Sequence, residues 1–176
     1  MRTALITGGG RGIGAAISKQ LAVDGYRILL TYCTSSKPAE MLVDEIRDSG
    51  IDAVAVNCDV LDAREVALLA THPWVIEGID VLVLNHGRYD RIDAKDLELE
   101  HLRRTMATNF EGAFLVWNAT KSFLTPEARI CVIGSQLGTR GSPHGADYSA
   151  SKAALSIWAR SLAQSLAPEG KRVNVI

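Results

Sequence analysis

Apolar residues in this chain fall into short unbroken runs, separated by longer stretches in which they recur every three or four positions. The runs Arg2–Thr7, Arg27–Thr31, Asp52–Asn57, Asp80–Leu84, Arg129–Ile133 and Arg172–Ile176 read as strands. Their interiors are continuous rather than alternating, which predicts burial on both faces, as in a parallel sheet covered by helices. Between them, Gly12–Asp24, Pro38–Ser49, Asp62–Ala70, Leu97–Phe123 and Tyr148–Leu166 read as helices, the fourth as one long helix. Strand and helix alternate repeatedly, so the expected fold class is α/β, a doubly wound parallel sheet with helices on both faces. No repeat, low-complexity tract or linker divides the chain, and 1–176 is expected to be a single domain.

Composition narrows the function class. A net charge of −1 offers no electrostatic footprint for nucleic acid or an anionic membrane surface. No apolar window is long enough to span a bilayer, and no secretory leader is visible at the start of the sequence. Cys33, Cys58 and Cys131 are odd in number and far apart, without metal-ligand spacing. They read as reduced residues in a cytoplasmic protein, and no metal site is expected.

Glycine clusters at two strand-to-helix turns, Gly8–Gly14 and Gly134–Gly145. In an open parallel sheet such turns lie at the carboxyl ends of the strands, where ligands bind. The first turn, Thr7-Gly8-Gly9-Gly10-Arg11-Gly12-Ile13-Gly14, opens the first helix. Glycines there let a pyrophosphate approach the helix N-terminus, and the absence of a following Gly-Lys-Ser/Thr excludes a P-loop. The candidate cofactor is therefore a dinucleotide. An acid at the end of the second strand favours NAD(H), whereas this chain carries Thr31-Tyr32-Cys33-Thr34-Ser35-Ser36-Lys37. Arg11 is placed to reach a 2′-phosphate with help from Lys37, Ser35 and Ser36, so NADP(H) is favoured over NAD(H).

Tyr148 and Lys152 stand four residues apart, on one face of a helix. The ammonium favours the phenolate electrostatically, which suits the pair to exchange a proton with a carbonyl or alcohol oxygen.

Taken together, Thr7-Gly8-x-x-x-Gly12-Ile13-Gly14, Asn85-His86-Gly87, Asn109, Ser135 and Tyr148-x-x-x-Lys152 resemble the short-chain dehydrogenase/reductase family in order and spacing. The segment from Thr31 through Asp59-Val60 resembles the 3-oxoacyl-(acyl carrier protein) reductase branch. The resemblance implies a Rossmann fold and an interconversion of ketone and secondary alcohol by hydride transfer. It makes Tyr148 the proton donor, with Ser135 as the hydrogen-bond donor to the same oxygen. Lys152 then tunes Tyr148 and holds the nicotinamide ribose, and Asn109 supports a water leading from Lys152 to solvent. Cofactor contacts fall to Gly8, Arg11, Gly12, Ile13, Gly14, Tyr32, Asp59, Val60, Asn85 and Gly87, with Tyr148 and Lys152 at the nicotinamide end. Asp59 is assigned to the adenine amino group, and Asn85 and Gly87 to the ribose path. The implied partners are a small carbonyl or alcohol substrate and further copies of the chain, as a homodimer or homotetramer.

Two departures qualify the resemblance. Leu84-Asn85-His86-Gly87 stands where the family commonly has Asn-Asn-Ala-Gly, which places a bulky titratable His86 beside the expected cofactor path. The sequence also stops at Ile176, within the sixth strand, where family members continue into a substrate lid. The expectation is therefore a fold lacking its C-terminal part. A second reading follows, a non-catalytic or impaired dinucleotide-binding or regulatory protein on the same fold. Gln136, Arg140, His144 and Tyr89 are expected to line the remaining pocket.

Overall fold

The computed structural model describes residues 1–176. Six strands, β1 (Thr3–Ile6), β2 (Arg27–Tyr32), β3 (Ala53–Asn57), β4 (Ile79–Leu84), β5 (Leu124–Val132) and β6 (Arg172–Val175), form one sheet in the order β3-β2-β1-β4-β5-β6. Every neighbouring pair is parallel. The winding direction reverses between β1 and β4, which opens a crevice at their carboxyl ends.

Successive strand residues feed two cores, because side chains alternate across a sheet. Ala4, Ile6, Ile28, Leu30, Val81 and Val83 pack beneath α1 (Gly12–Val23) and α2 (Ser36–Asp48). Leu5, Leu29, Leu82, Leu84, Ile130 and Val132 pack on the opposite face. That face is covered by α3 (Ala63–Ala70), α4 (Pro73–Glu77), α5 (Leu99–Met106), α6 (Gly112–Thr120) and α8 (Ala146–Leu166), and the short α7 (Leu137–Arg140) leads into α8. The predicted α/β doubly wound architecture is observed.

The predicted single helix over Leu97–Phe123 is not. Leu97 is extended, α5 begins at Leu99, and a π-helical turn at Ala107–Glu111 separates α5 from α6. A π turn inserts an extra residue and rotates the following face; here it buries Asn109 completely. After Thr120 the chain tightens into a 3₁₀ turn, Lys121–Phe123. Strand β5 starts five residues earlier than predicted. Its pairing with β4 jumps between Ile79↔Leu124 and Val81↔Arg129, so Thr125-Pro126-Glu127 bulge out of register. Proline has no N–H for the ladder, which hides this half of the strand from the apolar pattern. The helix predicted from Tyr148 starts two residues earlier, at Ala146.

Close approach of α6 to the loops after β3 and β4 depends on Gly112. A Cβ there would lie 2.7 Å from Val60 Cγ2 and 3.2 Å from His86 Nε2. Gly112→Ala is therefore expected to lower unfolding free energy by about 1–3 kcal/mol through overpacking, as read by urea denaturation. Parental stability in the variant would show that the contact yields freely.

Candidate active site

The glycine turn after β1 is built by backbone geometry and held by its neighbours. Gly8 and Gly12 adopt φ of +61° and +53°, the left-handed region that side chains with a Cβ disfavour. At Gly14 a Cβ would lie 2.3 Å from Gly8 O and 2.5 Å from Asn85 Nδ2, so the helix start and the turn can touch only without one. Asn85 Nδ2 donates to Thr7 O at 2.9 Å and to Gly8 O at 3.0 Å. From β2, Thr31 Oγ1 accepts from Gly8 N at 3.2 Å. Helix α1 opens at Arg11 with no side-chain cap and no acid in its first turn. Its first N–H groups and the positive end of its dipole therefore face a potential anion unopposed.

A cavity of about 720 Å³ lies over this turn. Its walls are the turn itself, Thr31–Ser35 at the end of β2 and just beyond it, Cys58–Leu61 after β3, Asn85–Arg88 after β4, and Arg104 and Thr108 from α5 and the π turn. Of the residues assigned to cofactor contacts, Gly8, Arg11, Gly12, Ile13, Gly14, Tyr32, Asp59, Val60, Asn85 and Gly87 all line it. Ser36 and Lys37, the expected helpers of Arg11, do not; they open α2, and Lys37 is exposed to solvent. Asn85 lines the cavity while its amide is engaged in bracing the turn. Asp59 Oδ1 accepts from Leu61 N at 3.0 Å, and Glu65 Oε2 accepts from Asp59 N at 2.6 Å. These bonds shape the β3 turn.

Lys152, Tyr148 and Ser135 stand beside this cavity rather than in its wall. Lys152 is only 3% exposed, and its Nζ donates to Ile133 O at 2.7 Å. Burial lowers its pKa from 10.5 to about 8, since desolvation penalises the charged form. Nζ lies 5.7 Å from the centroid of the Tyr148 ring. A Cβ on Gly87 would lie 3.6 Å from that Nζ and 3.3 Å from Asn109 Oδ1. The bare backbone of Gly87 thus connects the cavity wall to Lys152. Ser135 follows β5; its Oγ accepts from Leu137 N at 3.1 Å and starts α7. α7 in turn packs on the lysine, since a Cβ on Gly138 would lie 3.3 Å from Lys152 Cβ.

Asn109 is buried in the π turn. Its side chain is fully engaged within the protein: Oδ1 accepts from Arg88 N at 2.7 Å, while Nδ2 donates to Arg88 O at 3.0 Å and to Ser151 Oγ at 2.9 Å. Ser151 Oγ donates in turn to Tyr148 O at 2.7 Å. Asn109 therefore clamps the β4 loop to the first turns of α8. Ser151 was missed in the sequence, although its i+3 spacing from Tyr148 puts it on the same helical face. Arg104 and Thr108 were missed as cavity residues because nothing local predicts which helix face a π turn presents, and Arg88 because the loop after β4 carries no periodicity to orient it.

His86 lines the cavity with its ring turned into the protein. Its Nδ1 lies 2.7 Å from Thr7 Oγ1, and Nε2 is buried against Thr108 and Gly112 without a well-formed hydrogen bond. Burial, reinforced by the nearby Lys152 charge, lowers its pKa to about 4, so the imidazole is neutral at ordinary pH. Of the expected pocket residues, Tyr89 and His144 meet: Tyr89 Oη donates to His144 O at 2.9 Å. Gln136 and Arg140 are exposed around α7.

Residues 2–176 match the profile described as short chain dehydrogenase. The chain belongs to the short-chain dehydrogenase/reductase family. Among relatives, an uncharacterised oxidoreductase of Methylorubrum extorquens is 35% identical over 99% of this chain and 71% of that protein. A 3-oxoacyl-(acyl carrier protein) reductase of Staphylococcus aureus is 33% identical over 99% of this chain and 72% of that one. Among solved structures, a short chain dehydrogenase from Burkholderia cenocepacia in complex with NADP superposes with a TM-score of 0.92 at 37% identity, covering 99% of this chain and 72% of that one. A blue fluorescent protein from a metagenomic library, in complex with NADPH, gives 0.91 at 35% identity and the same coverages. No helix of this short-chain dehydrogenase/reductase is long and apolar enough to cross a membrane.

The buried lysine makes stability depend on pH in a defined direction. Between about 8 and 10.5 the folded chain has released the Lys152 proton while an unfolded lysine still holds its own, so folding gains as pH rises through that window. Below 8 both forms are protonated and the desolvation penalty is constant. Subtracting the unfolding free energy of Lys152→Met from that of the parent is expected to reveal this rise. A flat difference across the window would place the lysine in a wetter setting.

Proposed function

We propose that this oxidoreductase interconverts a ketone and a secondary alcohol with NADP(H), using Ser135, Tyr148 and Lys152. The observation that carries the reading is the buried Lys152 ammonium. It stands between the Tyr148 ring and Gly87, at the junction of the cavity with the first turns of α8. A charge this costly to bury is explained by an adjacent group that must become an anion.

A nicotinamide dinucleotide fits the residues present. The uncapped start of α1 suits a pyrophosphate, and Gly14 lets the backbone approach it. The cavity runs from there past Val60 toward Gly87. When bound, the nicotinamide supplies or accepts the hydride. The Tyr148 hydroxyl gives its proton to the carbonyl oxygen as that oxygen gains charge, and recovers it from solvent; in the alcohol direction it takes the proton. Ser135 Oγ–H donates to the same oxygen and fixes its position. Lys152 stabilises the phenolate that Tyr148 leaves behind. Asn109 acts through Ser151, holding the carbonyl of Tyr148 and with it the start of α8.

The NADP(H) preference rests on Arg11, an exposed cation on the cavity wall, facing a β2 terminus of Tyr32-Cys33-Thr34-Ser35 that carries no acid. The neighbours crystallised with NADP and NADPH support it. The substrate class is a small carbonyl compound or alcohol, and the setting is the cytoplasm. Exposed Phe114 on α6 and Ile157 on α8 support a homodimer or homotetramer.

Tyr148→Phe is expected to lower kcat for carbonyl reduction by about 10²–10⁴-fold while NADPH binding stays within about threefold by fluorescence titration. A variant as fast as the parent would sink the assignment. Binding of NADPH by the parent without oxidation across a broad carbonyl panel would identify a binding protein instead. Arg11→Ala is expected to shrink the ratio of NADPH to NADH affinity by about tenfold, equivalent to ~1.4 kcal/mol. An unchanged ratio would remove Arg11 as the source of preference.

A further inference from the structure

Tyr89 lies in the loop after β4, and its ring meets the Tyr148 ring edge to face, with centroids 5.0 Å apart and planes at 76°. Its hydroxyl donates to His144 O at 2.9 Å, in the loop that leads into α8. The two loops are joined twice more, by Ala94 N donating to Pro143 O at 2.8 Å and by His144 Nδ1 standing 3.6 Å from Asp93 Oδ2. Space for the Tyr89 ring is left by Gly145, where a Cβ would lie 2.6 Å from Tyr89 Cε2. Gly145 has φ of 167°, an extended backbone open to any residue, so its lack of a side chain serves the ring rather than the turn.

Lys152 sits near the Tyr148 ring from the protein interior, and Tyr89 braces that ring from the solvent side, where it is itself 47% exposed. A phenol that must deliver a proton along one line needs its ring plane fixed, and an edge-to-face contact fixes a plane without engaging the hydroxyl.

We infer that Tyr89 is the positioning residue that sets the ring plane of Tyr148 for proton transfer, with Gly145 conserving the space it needs. This rests on the reading of Tyr148 as the proton donor. The ring geometry itself is independent of that reading.

Three variants test it. Tyr89→Phe keeps the ring contact and loses only the bond to His144 O, so kcat is expected to stay within about threefold. Tyr89→Leu loses the aromatic contact, and kcat is expected to fall about 10- to 100-fold. Its KM and NADPH affinity should stay within about threefold, and the solvent isotope effect on kcat should rise as proton transfer becomes limiting. Gly145→Ala displaces an intact Tyr89 and should reproduce the kinetic signature of Tyr89→Leu. The two remaining loop–loop contacts keep the segment folded in each. Ring resonances of Tyr148 in tyrosine-labelled protein report the contact without turnover, and should shift in Tyr89→Leu and Gly145→Ala but little in Tyr89→Phe. Unmoved Tyr148 resonances in Tyr89→Leu overturn the inference. So does kcat within twofold of an active parent, or a loss shared equally by Tyr89→Phe. If the parent shows no carbonyl reduction at all, the proton-donor reading fails while the resonances still decide whether Tyr89 sets the ring.

Discussion

Taking an ammonium out of water is costly unless hydrogen bonds and neighbouring groups replace the lost hydration. Lys152 receives one backbone carbonyl, Ile133 O, and is otherwise enclosed by elements that had to be brought to it. The β4 loop reaches it through the bare backbone of Gly87, the π turn through Asn109, and α7 through the bare backbone of Gly138. The lowered lysine pKa is the electrostatic trace of that enclosure. The β4 loop, the π turn and α7 thus converge on this one buried charge.

The second organising element is the polar seam between the β1 turn and the β4 loop. Thr7 Oγ1 accepts from Asn85 N at 3.0 Å, and the Asn85 amide reaches back to two carbonyls of the turn. His86 closes the seam from the other side, packed against Thr7, Thr108 and Gly112. Its neutrality matters here. A charged imidazole beside Lys152 would put two cations in one low-dielectric region, and burial removes the proton from the imidazole instead. The cavity is therefore bounded on this side by uncharged groups, and the cations among its lining residues are Arg11, Arg88 and Arg104. Two of these, Arg88 and Arg104, share Asp90 at 2.6 and 3.5 Å.

Where local chemistry and burial agreed, structure was legible along the chain. β2 and β3 follow their apolar runs to within a residue, and the glycine turn stands where the first run meets the first helical period. α4 and α7, at five and four residues, are too short to generate a readable period. The break in the long helix is different in kind. Leu99–Thr120 keeps a helical pattern throughout, and the π turn changes only the registration of its two halves, a change no residue type announces. Asn109 could be picked out by its place in the motif, yet its partners could not, because Arg88 and Ser151 lie 21 and 42 residues away.

The sequence by itself determined the parallel α/β architecture, the glycine-rich turn at the first strand-to-helix junction and the four-residue spacing of Tyr148 and Lys152 on one helix. Each of these is written in local periodicity, glycine placement or a spacing of a few residues. Only the tertiary structure decided that Lys152 is buried, that Asn85 and Asn109 serve as clamps, that Lys37 stands away from the cavity, and that Tyr89 meets Tyr148. These depend on contacts between segments far apart in the chain. Such contacts are fixed by the packing of whole elements, and the cost of burying a polar group, or the need to satisfy it, appears only once those elements are in place.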